Sequence, residues 1–120
     1  MTRRILIVDD EPSICHMLQQ VLTDEGFEAE TAGSAFEALG KLVDEPVDLA
    51  IVDLLLPGAN GLELAEAIRV LDPGTPVILI TAYGTTAFES MASHPAIDYY
   101  VHKPFSLDHL LELVHRCVPT

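Results

Sequence analysis

Five short apolar runs alternate along the chain with five stretches whose apolar residues recur at helical spacing. The runs are ILIV (5–8), EAETA (28–32), LAIVD (49–53), VILIT (77–81) and YYVH (99–102). Three of them are apolar almost throughout, the pattern of parallel strands covered on both faces. Between them, Ile14, Leu18, Val21 and Leu22 predict a first helix that begins near Pro12 and Ser13 and stops at Gly26. Ala35, Ala38, Leu39, Leu42 and Val43 predict a second, capped by Ser34 and ended by Pro46. Leu64, Ala65, Ile68 and Leu71 form a third stripe, closed by Asp72, Pro73 and Gly74. Leu107, Leu110, Leu111, Val114 and Val118 form the fifth, with Ser106 as cap. The fourth, over 86–92, offers only Ala87, Phe88, Met91 and Ala92. A helix with so little apolar surface is held loosely and suits a moving part.

Strict alternation with short loops, and the right-handedness of parallel crossovers, predict an α/β fold. The expected architecture is a (βα)5 doubly wound, five-stranded parallel sheet of order 2-1-3-4-5, in one domain spanning 1–120. Strands 1 and 3 are then neighbours, and a ligand crevice opens at their carboxyl ends.

That topology gives the acidic sequence DDEP after strand 1 a meaning. Asp9 and Asp10 end strand 1 and Asp53 ends strand 3, so three carboxylates converge on one edge. Two unit charges 4 Å apart repel by about 4 kcal/mol at an effective dielectric of 20, so the cluster calls for protons or a cation. Mg²⁺, a hard ion that binds through a few carboxylates and favours sites that also hold phosphate, is the expected cofactor. Thr81 ends strand 4 and Lys103 follows strand 5, adding a hydroxyl and an ammonium. A metal, a carboxylate nucleophile, a hydroxyl and a fixed cation make a phosphoryl-handling site. Singly, each residue has a plainer reading, as a helix-capping acid, a turn acid, a satisfied strand-end hydroxyl or a solvated lysine. Their common placement favours the chemical one. Glu11 is read as a solvated residue at the first helix's N-terminus, not a third ligand.

Composition narrows the partners. With 49% hydrophobic and 21% charged residues, 120 residues suffice for one packed core and argue against disorder. Six basic against nineteen acidic residues give a net charge of −13, and the basic ones are scattered. Direct nucleic-acid binding by this domain is therefore not expected. The four-residue apolar run after Arg3 and Arg4 is too short for a signal peptide or membrane span, so a cytoplasmic location is expected. Cys15 and Cys117, far apart and in no metal motif, read as two buried reduced thiols.

The motifs ILIVDDEP, DLAIVDLLLPGANGLEL, VILITAYG and DYYVHKPF, at their spacing over 4–118, resemble the receiver domain of two-component response regulators. The resemblance implies the same flavodoxin-like order and a phosphorylation-dependent signalling switch. It implies that Asp53 accepts a phosphoryl group from a phosphohistidine donor, on a sensor histidine kinase or a histidine phosphotransfer protein. Asp9 and Asp10 would hold Mg²⁺, completed by Asp53 and the backbone carbonyl of Leu55. Lys103 would pair with Asp53 and then with the phosphoryl group, Thr81 would bond it after transfer, and Tyr100 would be the switch aromatic. The output face would be the fourth helix, fifth strand and fifth helix, acting on an output domain or downstream protein. A homodimer through that face is one arrangement open to such a domain. Leu55 and Tyr83 occupy the positions expected to set phosphoryl lifetime, and their bulk predicts slow self-dephosphorylation. Pro95 stands where receivers commonly have glycine, and Leu56 where methionine is common. Such a domain catalyses only its own phosphorylation and dephosphorylation. The rival enzyme reading, a phosphohydrolase resembling the haloacid dehalogenase family, would require a D-x-D pair and a cap insertion, where this chain has adjacent Asp9 and Asp10. A purely structural receiver relative, unable to accept phosphate, would lack site residues that are all present here.

Overall fold

The computed structural model describes residues 2–81 and 94–119. In chain order the elements are β1 (Arg4–Val8), α1 (Pro12–Asp24), β2 (Glu28–Ala32), α2 (Ala35–Asp44) and β3 (Leu49–Asp53). A hairpin of two short strands, β4 (Leu55–Leu56) and β5 (Ala59–Asn60), then leads into α3 (Gly61–Leu71). The chain continues through β6 (Val77–Thr81) and β7 (Tyr99–His102), and the predicted fifth helix is α4 (Leu107–Cys117). The helix expected over 86–92 and Tyr83 lie outside the described residues.

The sheet runs β2-β1-β3-β6-β7 with every pairing parallel, which is the predicted order once the hairpin strands are set aside. Side-chain alternation along each central strand divides the core in two. Ile5, Ile7, Leu49, Ile51, Ile78 and Ile80 face one layer with α1 and α4. Leu6, Val8, Ala50, Val52, Val77 and Leu79 face the other with α2 and α3. Burying a Leu or Ile completely contributes about 1.5–3 kcal/mol, so the uninterrupted apolar runs are the stabilising centre of the sheet. At the edge, β2 is covered less, and its EAETA sequence alternates accordingly.

Local chemistry sets the helix ends. Ser34 Oγ accepts from Glu37 N at 3.1 Å, and Ser106 Oγ accepts from His109 N at 3.3 Å. Asn60 and Glu63 form a reciprocal capping box at the start of α3. Pro12 opens α1, where its missing N–H costs nothing, and Gly26 (φ +94°) takes the left-handed turn after it. Glu11 stands at the N-cap of α1, yet its side chain makes no capping bond.

The amino-terminal end of the sheet is closed by ion pairs. The Arg4 guanidinium meets Glu28 and Glu30 at 2.7 Å each and Glu45 at 3.2 Å. Asp98 receives both Arg69, at 2.6 Å, and the N–H of Val77, at 2.8 Å. Cys15 is buried as expected, but Cys117 is only half-buried, because α4 ends at the rim of this end of the sheet, where Cys117 lines a pocket with Arg3, Asp48 and Thr75. Both thiols are free. No helix among the described residues is long and apolar enough to cross a membrane.

Candidate functional site

At the opposite end, four of the predicted residues meet. Asp9 follows the last residue of β1, tied in place by Asp9 N–H donating to Ala32 O at 3.1 Å. Asp53 is the last residue of β3, in register with Ile80 of β6. Carboxylate oxygens of Asp9, Asp10 and Asp53 lie within 4.8 Å of one another. Asp9 and Asp53 are buried, while Asp10 is exposed. Lys103, one residue past β7, brings Nζ to 3.5 Å from Asp9 Oδ2 and 3.4 Å from Asp53 Oδ2. These distances are long for a charge-assisted hydrogen bond, so the ammonium is shared and committed to neither acid.

Electrostatics follow from this crowding. Burial, and next the Asp9 charge, push the Asp53 carboxyl above its ordinary value, against the partial relief given by Lys103 and a hydrogen bond from Leu55 N–H. Burial pulls the Lys103 amine down, but Asp53, Asp9 and Glu11 together outweigh it and hold the ammonium above its ordinary value. Among the described residues, the site has one permanent cation for two buried carboxylates and two exposed ones. Three convergent hard-oxygen donors around such a deficit fit a small divalent ion, and Asp9, Asp10 and Asp53 are the side chains that would hold it.

Thr81 ends β6 fully buried, and its Oγ1 has no hydrogen-bond partner among the described residues. Its carbonyl accepts Lys103 N–H at 2.9 Å, so hydroxyl-bearing strand and lysine loop are joined at the main chain. A buried hydroxyl without an acceptor costs free energy, and such groups mark places where a partner arrives. Tyr100 lies three residues before Lys103 on β7, half-buried against the layer that holds α2 and α3. Burial raises its hydroxyl above the ordinary value. It stands outside the carboxylate cluster. Leu55, on the first strand of the hairpin, is largely exposed.

Two residues join the site that the linear pattern does not mark. Glu11, expected to be simply solvated, is exposed but places Oε1 3.6 Å from Lys103 Nζ, and its N–H donates to Asp9 Oδ1 at 2.9 Å. Gly61 is pressed onto the end of β3. A Cβ there would collide with the Asp53 carbonyl oxygen and come within 2.9 Å of Asp53 C and Leu54 Cα. Gly61 N–H donates to Leu54 O at 2.6 Å, so the hairpin is strapped across the segment that carries Asp53. Gly58 (φ +78°) makes the turn that brings it back. The LPGANG sequence, with a second glycine shortly after the turn, is the available signal for this close approach.

The profile of the family described as response regulator receiver domain matches residues 5–115. The DNA-binding response regulator MtrA of Mycolicibacterium smegmatis is 38% identical over 114 residues, covering 95% of this chain and 50% of that protein. The chain thus spans about half the length of that relative. Sporulation initiation phosphotransferase F of Bacillus subtilis is 31% identical over 119 residues, covering 99% of this chain and 96% of that one. Among solved structures, the response regulator protein TrrA from Thermotoga maritima, in complex with Mg²⁺-BeF, superposes with a TM-score of 0.87. It is 40% identical, with 98% of this chain and 100% of that chain covered.

Proposed function

Since this chain belongs to the response regulator receiver domain family, whose members act as phosphorylation-dependent signalling switches, we propose that Asp53 is its phosphoacceptor and that residues 1–120 form one receiver unit. The observation that carries this reading is the shared lysine. Lys103 Nζ stands 3.4 Å from a buried Asp53 carboxylate whose neighbours, Asp9 and Asp10, complete a cation-binding set. In the step we infer, an Asp53 carboxylate oxygen forms a bond to the phosphorus of a phosphohistidine on a sensor kinase or histidine phosphotransfer protein. The P–N bond breaks, and the imidazole keeps the electron pair and takes a proton. Mg²⁺, held by Asp9, Asp10, Asp53 and the Leu55 carbonyl, would neutralise charge on the phosphoryl oxygens. Lys103 leaves its shared position to pair with the new phosphoryl group, and the Thr81 hydroxyl gains the acceptor it lacks.

These contacts exist only in the phosphorylated state, so they shift the population toward the arrangement that makes them. Tyr100, on β7 beside Thr81's strand, would turn inward with that shift. The face that changes would be the segment preceding β7, β7 itself and α4, read by an output domain or a downstream protein. The domain would act in the cytoplasm, as a switch that catalyses only its own phosphorylation and dephosphorylation. With Leu55 bulky and apolar next to the site, the phosphoryl group is expected to persist.

The test uses acetyl phosphate with Mg²⁺ and intact mass. One phosphoryl group per chain, absent from Asp53→Asn, is expected. Multiple turnover of small phosphate esters would overturn the reading in favour of a hydrolase.

A further inference from the structure

Glu11 differs from the other acids that reach Lys103. Its side chain is 57% exposed, against 3% for Asp9 and 8% for Asp53. It occupies an N-cap position without capping, so its carboxylate is free to point elsewhere. The bond from its N–H to Asp9 Oδ1 fixes its main chain, and its Oε1 sits 3.6 Å from Lys103 Nζ. Glu11 and Lys103 are the charged wall of an open cleft of about 460 Å³ otherwise lined by Ile14, Met17, Pro104 and Phe105. Through Lys103, the Glu11 carboxylate lies no more than about 7 Å from Asp53 Oδ2, a range over which unit charges still interact before salt screens them.

We propose that Glu11 is a specificity-determining residue that selects phosphodonors by charge, disfavouring free polyanionic donors at the mouth of the site. The proposal rests on Asp53 being the phosphoacceptor. Glu11 acts in two ways that share one sign. It adds negative field where the donor must approach, and it holds part of the one ammonium that would otherwise draw the donor in. A phosphoryl group presented among the basic side chains of a partner protein meets this field already compensated, and is favoured over the free anion.

The field makes a quantitative demand. Coulomb energy is linear in the donor's charge, so removing the Glu11 charge changes the logarithm of the rate twice as much for a dianion as for a monoanion. A role limited to ordering the start of α1 scales every donor alike. The test compares the whole chain with Glu11→Gln and Glu11→Asp, using acetyl phosphate, a dianion at neutral pH, and phosphoramidate, a net monoanion. In both reactions Asp53 oxygen bonds to phosphorus while the bond to acetate or to the amine breaks, the leaving group taking the electron pair and ammonia a proton.

Glu11→Gln is expected to raise the second-order rate constant about tenfold with acetyl phosphate and about threefold with phosphoramidate at low salt, both gains shrinking at high salt. Glu11→Asp should stay close to the parent. Equal factors for the two donors, no gain, or a gain indifferent to salt would overturn the proposal while labelling at Asp53 stands. If the parent chain takes phosphate from neither donor, or on another residue, the phosphoacceptor reading fails and the charge gate fails with it.

Discussion

Both ends of the sheet carry clusters of charge, and they are built on opposite principles. At the amino-terminal end, Arg4 has three carboxylate partners, two of them at 2.7 Å, with side chains 40–60% exposed. At the carboxyl-terminal end, one lysine at 3.4–3.5 Å is divided between two buried acids, with Glu11 also in reach. The first spreads one guanidinium over three acids that stay open to solvent, which screens the charge the arginine leaves. The second leaves charge that the protein's own groups do not neutralise, in a place where water does not compensate. Acids of the first kind stay in contact with solvent and need no ligand, whereas an uncompensated buried carboxylate is costly unless a ligand completes it. The contrast marks the carboxyl-terminal end as the one that calls for a ligand, without reference to any motif.

The largest effect that would break this contrast is on phosphorylation. Asp53→Asn should abolish mass labelling by acetyl phosphate and, in Mg²⁺-free buffer, make the protein more stable by about 1 kcal/mol, because it removes a carboxylate whose charged form burial and Asp9 disfavour. Urea denaturation reads the second outcome, and a loss of stability would show Lys103 to be a full partner after all. Next in size, Gly61→Ala should cost about 3 kcal/mol by driving the hairpin off the Asp53 carbonyl, and should slow labelling with it. A variant that unfolds at the parent's midpoint would show that the close approach relaxes freely.

Mg²⁺ should distinguish the two ends directly. At about a hundred times its dissociation constant it should add about 2.7 kcal/mol to the parent chain and far less to Asp53→Asn. Arg4→Met should show the reverse profile. It strips a neutralising cation from Glu28, Glu30 and Glu45 and should cost about 2 kcal/mol. Labelling and the Mg²⁺ gain should be unchanged. If Arg4→Met weakened labelling instead, the two ends would be coupled through β1.

How far all this is legible in the sequence varies with how local the cause is. The strand bounds of VILIT and LAIVD follow from burial on two faces, which leaves no polar residue inside the run. The placement of Asp9, Asp10 and Asp53 follows once the order of strands is fixed, since the switch point brings those ends together. The hairpin Leu55–Leu56 with Ala59–Asn60 is too short to leave a periodicity. The start of α3 was within reach, because Asn60 followed three residues later by Glu63 is the capping-box spacing. Gly61 showed only as the second glycine of LPGANG, which does not tell which backbone it folds against, and Glu11 left no signal, because its role depends on where one flexible side chain points. The expectation of two buried thiols fails for Cys117 for a similar reason, since helix periodicity does not tell how close to the rim the last turn ends.

The half-buried Cys117 supplies the smallest and most selective probe of the contrast. Burial first, and the Asp98 charge second, push its thiol up to about 11. Only the thiolate reacts with alkylating reagents, so in Cys15→Ser the alkylation rate of Cys117 should climb about tenfold per pH unit above neutrality and level off near the thiol's own titration. The slope comes from deprotonation alone, provided the fold persists over the range, which circular dichroism checks. Mg²⁺ should leave this profile where it is. The charge that matters at Cys117 belongs to Asp98, already joined to Arg69 at the amino-terminal end, while the cation site lies across the length of the sheet and beyond effective range in salt. A profile displaced by Mg²⁺ would mean that filling the carboxyl-terminal end rearranges α4, and the two ends would then have to be treated as one electrostatic unit.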